Sequence, residues 1–171
     1  MSKKIGILYE HEEWMAPLFS ELRQLKANVE PIHAHEFSYE PFRLHRQYDL
    51  VVNRMSPSAF LRGHGNGIFH VLYFLEYLES IGVRVLNGTR AYGFEISKAR
   101  QTALLERMGI RCPKSRVINH SGLTLEAANG LDYPLLVKGN IGGSGANITL
   151  FKNAAQIAEA QDRGIDLGLD M

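Results

Sequence analysis

The chain has 171 residues, of which 45% are hydrophobic and 22% charged, and a net charge of +1. This is ordinary soluble composition, with material for one good-sized core or two small ones. Basic residues do not cluster, so a nucleic-acid footprint is excluded. The single cysteine, Cys112, rules out an internal disulfide and fits a reducing, cytoplasmic setting. No apolar run approaches the ~20 residues of a membrane span, and the one near the start is too short for a signal peptide.

In chain order, Lys4–Tyr9 reads as a buried strand. Glu12–Asn28 reads as a helix, with Met15, Leu18, Phe19, Leu22 and Leu25 at helical spacing. Val29–Ala34 and Tyr48–Asn53 are the next strands, and Ser56–Gly67 is a loop rich in Ser, Pro and Gly. A helix marked by Ile68, Val71, Leu72, Leu75 and Leu78 ends at Gly82, and Val83–Leu86 is a fourth strand. Strands alternating with helices predict an α/β domain over residues 1–88 with a small parallel sheet. Asn87–Thr89 then turns into a second unit, 89–171. Ser97 caps a helix over Lys98–Met108 that Gly109 ends. Ser115–Ile118 reads as a strand and Thr124–Asn129 as a short helix. The strands Tyr133–Val137 and Ile148–Phe151 flank a glycine-rich loop, and Asn153 caps a last helix to about Asp162. The tail to Met171 carries no clear pattern.

The loop Lys138-Gly-Asn-Ile-Gly-Gly-Ser-Gly-Ala-Asn147 carries the most chemistry. A lysine leaves an apolar strand, and backbone nearly bare of side chains follows, an arrangement suited to phosphate. A tight hairpin turn is the plain alternative, but Gly139, Gly142, Gly143 and Gly145 exceed what such a turn needs. A Walker loop is excluded because the lysine precedes the glycines and a strand follows them. A nicotinamide-binding fingerprint is disfavoured because the turn after Tyr9 is Glu10-His-Glu-Glu13, acidic and without glycine. Lys98 stands in the first turn of its helix, where a cation opposes the helix dipole at a few tenths of a kcal/mol. Placement against local preference points to a function for it.

Four pieces in order carry a resemblance: Glu95-Ile-Ser-Lys-Ala-Arg-Gln-Thr-Ala-Leu-Leu-Glu-Arg-Met-Gly-Ile110, Cys112-Pro-Lys-Ser115, Pro134-Leu-Leu-Val-Lys138 and Gly142-Gly-Ser-Gly145. Together they resemble the front half of the ATP-grasp superfamily. The branch most similar is that of the ribosomal-protein glutamate ligases, with glutathione synthetases more distant. Asn53-Arg-Met-Ser56 and Leu78–Asn87 resemble that branch's preceding domain, so the similarity spans nearly the whole chain. The resemblance implies an α/β pre-ATP-grasp domain followed by an α+β ATP-grasp subdomain. Lys98 would contact phosphate, and Lys138 the α-phosphate and the adenine side. Gly142, Gly143, Ser144 and Gly145 would fold over the β- and γ-phosphates. The implied reaction is ATP-dependent joining of a carboxylate to an amine through an acyl phosphate, on an amino acid or peptide. The implied cofactors are ATP and Mg2+, and a homo-oligomer is plausible by the same analogy.

Two departures stand out. The family's usual aspartate before the first lysine is Ser97 here, which still caps a helix. The family's adenine-binding hinge, magnesium ligands and acyl-phosphate arginine lie beyond the matched part, so this chain is expected to lack metal ligands and to be inactive alone. No catalytic residue is assigned. A non-catalytic nucleotide-binding or oligomerisation module is the alternative.

Other residues carry less. Arg54 follows a strand's carboxyl end, where α/β proteins gather ligands; a substrate carboxylate or phosphate and a structural salt bridge account for it equally. Arg62-Gly-His-Gly-Asn-Gly67 is a candidate substrate loop, although an ordinary exposed connection explains it somewhat better. His33 and His35 read as a surface pair without further metal ligands, and Cys112 as a passive thiol. Glu10, Glu12 and Glu13 read as a helix's acidic first turn.

Overall fold

Four parallel strands build the first unit of the computed structural model, which describes residues 3–42 and 47–164. They are β1 (Ile5–Tyr9), β2 (Val29–His33), β3 (Leu50–Asn53) and β4 (Arg84–Leu86), ordered β2-β1-β3-β4. Ile5 of β1 pairs with Val29 on one side and Leu50 on the other. The chain thus crosses over at β1, the place where open α/β sheets take ligands at strand carboxyl ends. Helix α1 (Glu12–Gln24) connects β1 to β2, and α2 (Gly65–Ser80) leads into β4. Leu8, Val51, Ile68, Val71 and Leu75 are fully buried and form the centre of this core.

Helix α1 is shorter than the periodicity suggests. It stops because Lys26 adopts a left-handed φ of 52°. Ala27 N–H then donates to Leu22 O, and Lys26 N–H to Arg23 O, which closes the end as a Schellman motif. Only Met15 of the predicted apolar face is buried, and Leu25 is left largely exposed. Gly82 ends α2 in the same way, with Val83 N–H donating to Leu78 O.

The expected open loop at Ser56–Gly67 is structured. Pro57–Arg62 forms a 3-10 turn capped by the Ser56 side chain, with Pro57, Ser58 and Ala59 buried. A further helix, α3 (Thr89–Glu95), follows β4 and was not apparent in the sequence. Tyr92 is buried in it and donates its hydroxyl to Ile68 O at 3.2 Å. This bond holds α3 to α2, so the compact unit runs to Glu95 and the second begins at Ile96, beyond the turn at Asn87–Thr89.

The second unit contains α4 (Lys98–Arg107), α5 (Thr124–Ala127), β5 (Leu135–Lys138), β6 (Ile148–Phe151) and α6 (Ala154–Arg163). Ser97 Oγ accepts from Arg100 N–H at 3.3 Å, and Asn153 Oδ1 from Gln156 N–H at 3.0 Å. Both are the expected N-caps. Strands β5 and β6 form an antiparallel pair. One face of it, Leu135, Val137 and Phe151, packs against Ala128, Ile157 and Ala160. The strand expected at Ser115–Ile118 is absent. No described segment pairs with that stretch, and Val117 is 67% exposed, so its β-branched character has no ladder to enter. Most of the patternless tail, 165–171, lies outside the described residues.

The acidic run after β1 divides. Glu12 and Glu13 occupy the first turn of α1 as expected. Glu10 instead turns inward, with its side chain only 1% exposed. Arg62 donates to it through both Nε and Nη2, the Nε–Oε1 distance being 2.8 Å, and His64 Nδ1 lies 2.6 Å from Oε1. Burial pushes this carboxyl up, but the bonds from Arg62 and His64 outweigh burial and hold it below the usual carboxylate range. Arg62 and His64 are therefore committed to the protein's own carboxylate. Nor are His33 and His35 simply a surface pair. The His33 ring is mostly covered, with Nε2 3.0 Å from Glu10 O, while exposed His35 stacks on His64 at 4.1 Å.

A depressed carboxyl pKa stabilises the fold above the unfolded value of about 4.3, and that contribution is lost as pH falls through the folded value. Glu10→Gln is expected to lower the unfolding free energy at pH 7 by about 2 kcal/mol, since it leaves Arg62 facing a neutral amide. Urea denaturation at a series of pH values should show this difference shrinking below about pH 4. A difference that does not change with pH would show that the Glu10 charge is not what holds the cluster.

Candidate functional site

The glycine loop lies within the second unit, between β5 and β6, and its two ends differ. Near β5 it is anchored: Ile141 is 3% exposed, and Gly139 N–H donates to Asn147 O at 3.3 Å. Its tip is exposed. Ala146 N–H donates to Gly143 O at 3.2 Å, closing a turn whose central residues, Ser144 and Gly145, have φ of 57° and 72°. Two successive left-handed residues are the requirement of a type I′ turn. Gly145 meets it without strain, whereas serine there costs about 1 kcal/mol.

Lys98, the first residue of α4, reaches this loop. Its Nζ donates to Asn140 O at 3.3 Å and lies 3.5 Å from Gly142 O. Burial lowers the Lys98 pKa, and the charge of Lys138 lowers it further. The two ammonium groups are thus close enough to repel one another. Among the described residues neither has a carboxylate partner. Lys138 is exposed at the end of β5. Pairing places it opposite Ile148, with Leu136 opposite Leu150 on the same face. Leu136, Ile148 and Leu150 are 57%, 46% and 52% exposed, so an apolar strip runs up to Lys138.

The geometry accordingly gathers Lys98, Lys138, Gly142, Gly143, Ser144 and Gly145 in one place. Arg54 lies in the first unit at the end of β3, exposed, with its backbone N–H on Leu8 O at 2.7 Å. Asn140 was not singled out in the sequence. Its side chain accepts from Ala99 N–H at 2.9 Å and from Ser97 Oγ at 3.1 Å. Its only outward sign was a polar residue among glycines, which is common in any turn. Among the described residues no three of His, Cys, Asp and Glu lie close enough to hold a metal ion. Two ammonium groups without a carboxylate partner among the described residues, beside a loop with little side-chain bulk, do fit a polyphosphate.

Solved structures resemble this chain in overall fold. A RimK-domain ATP-grasp protein from Sphaerobacter thermophilus aligns over 94% of this chain and 58% of its own, with TM-score 0.67 and 14% identity. The ATP-grasp ligase PsnB, complexed with a minimal precursor, aligns over 95% of this chain and 60% of its own, with TM-score 0.57 and 19% identity. The chain shares its fold with these ATP-grasp proteins. Only part of each ATP-grasp neighbour is matched. Among curated proteins, the alpha-aminoadipate–LysW ligase LysX of Sulfurisphaera tokodaii is 26% identical over 139 residues, which is 78% of this chain and 45% of that protein. The chain thus spans less than half the length of this relative. No family model matches it.

The depressed Lys98 pKa has a definite sign. Between its folded value and the ordinary ~10.4, the unfolded chain binds more protons than the folded one. The cost is therefore present in full at neutral pH and is relieved as pH rises past the folded value. Lys98→Met should be no less stable than the parent at pH 7 in thermal melts, and its stability should rise less toward pH 10. A marked loss of melting temperature at pH 7 would contradict this.

Proposed function

We infer that the second unit grips the triphosphate of ATP. The carrying observation is Lys98, whose Nζ reaches the loop carbonyls of Asn140 and Gly142, with Lys138 near enough to oppose its charge and no carboxylate partner for either among the described residues. Such a pair costs stability when empty and is relieved by an anion. Lys138 meets the α-phosphate, and the strip Leu136, Ile148 and Leu150 receives the flat face of the adenine. Lys98 and the turn at Gly142–Gly145 meet the β- and γ-phosphates. Glycine keeps that backbone free of side chains that would hold phosphate off.

The parent activity on this reading is an ATP-dependent carboxylate–amine ligase. The γ-phosphoryl group passes from ATP to a carboxylate oxygen, ADP leaves, and an amine attacks the acyl phosphate to give an amide and inorganic phosphate. The residues of this chain position and neutralise the phosphates, which is most of what phosphoryl transfer asks of a protein. Magnesium, when bound, would add charge neutralisation from ligands other than those described. LysX, an alpha-aminoadipate–LysW ligase, and PsnB, crystallised with its precursor peptide, support an amino acid or peptide substrate. Arg54, at the sheet's carboxyl edge, is the candidate for its carboxylate. The same reading keeps a cytoplasmic setting and a possible homo-oligomer.

The test is a titration of the chain with ATP, AMP and NAD followed by amide NMR. ATP should move the resonances of Lys98 and Gly142–Gly145, with AMP much weaker. Lys138→Ala should weaken ATP by roughly tenfold, the worth of one charge-assisted hydrogen bond. A response to NAD and not to ATP would replace this reading with a dinucleotide site. No response to any nucleotide would leave a non-catalytic module.

A further inference from the structure

We propose that Asn140 is the positioning residue of the phosphate site, acting through Lys98; this rests on the ATP reading above. The argument begins with helix α4, which buries none of its residues fully. Its apolar residues Ala99, Leu104 and Leu105 are only half-buried, so apolar packing alone leaves its first residue to be aimed by other contacts. Four polar contacts converge on Asn140. Its Oδ1 accepts from Ala99 N–H at 2.9 Å and from Ser97 Oγ at 3.1 Å. Its backbone oxygen accepts from Lys98 N–H at 3.2 Å and from Lys98 Nζ at 3.3 Å. One residue of the loop thus holds the helix's opening residues from both its side chain and its main chain.

The amide orientation is set by chemistry. Ala99 N–H can only donate, so the atom facing it is the carbonyl oxygen of Asn140. Ser97 must then donate to that same oxygen while its own oxygen accepts from Arg100 N–H. A hydroxyl can do both, whereas an ionised aspartate could only accept. Serine at 97 is matched to asparagine at 140. The pair docks the helix while adding no negative charge beside the two lysines. A carboxylate there would compete with phosphate for Lys98.

The experiment is a double-mutant cycle on the full 171-residue chain, read as ATP affinity by NMR titration, with a thermal melt of each variant. Asn140→Ala should weaken ATP by roughly tenfold, the scale of losing a fixed charge-assisted contact. In the Lys98→Met background the same change should do nothing further, because its effect runs through that ammonium. Ser97→Ala, which keeps the Ala99 bond, is the milder variant should Asn140→Ala unfold, and its smaller loss should likewise vanish with Lys98→Met. Losses that multiply would overturn the proposal, since a merely structural residue lowers the melting temperature without coupling to Lys98. If Lys98→Met alone leaves ATP affinity unchanged, the phosphate reading itself fails, and with it the role given to that lysine.

Discussion

The second unit depends on how a helix with no fully buried residue is held at its amino end. Most helices are placed by an apolar stripe, and their termini follow. Helix α4 is placed in reverse, by hydrogen bonds from its opening residues to the loop after β5. The loop in turn carries a buried side chain, Ile141, among residues that are otherwise small and polar. The link runs from the loop backbone to a helix terminus and an ammonium group. A charge held this way is less adjustable than a surface lysine, and preorganisation is what makes a charge useful against phosphate.

The two units treat buried charge oppositely. In the first, Glu10 is fully withdrawn from water and is satisfied by Arg62 and His64. That arrangement is closed, because the cations at the end of β1 already have their anion. It also gives the physical reason why the site of a pyrophosphate in dinucleotide folds is taken here: a carboxylate stands where such folds have glycine. In the second unit two ammonium groups share a neighbourhood with carbonyl oxygens and, among the described residues, have no carboxylate partner. Carbonyl dipoles are partial compensation, and repulsion between the lysines remains.

What could be read from the sequence was what local rules decide. Ser97 and Asn153 stand where helices begin, Gly82 and Gly109 where they end, and the alternation of strand and helix implied a parallel sheet. The glycine loop was legible because only backbone exposure explains so many glycines. The misses needed partners. Ser115–Ile118 has strand propensity but no strand to pair with. Lys26 ends α1 in a conformation usually given to glycine, so no glycine marked the stop. Glu10 looked like its acidic neighbours and differs only in facing Arg62, far away in sequence. Asn140 matters through a helix that precedes it by some forty positions, a distance no local pattern spans.

This contrast between closed and open charge also bears on evolution of the site under mutation. A closed cluster such as Glu10, Arg62 and His64 resists change at its centre, because removing Glu10 leaves Arg62 without its carboxylate in a partly covered place. An open pair such as Lys98 and Lys138 differs: losing one lysine relieves the repulsion on the other, although Lys98 also gives up its bonds to Asn140 O and Gly142 O. Residues that cost the empty protein something are retained for what they bind, and the ones that hold them in place share that dependence. On the proposed reading, Asn140 and Ser97 belong with the lysines, because their hydrogen bonds hold the opening residues of the helix that carries Lys98.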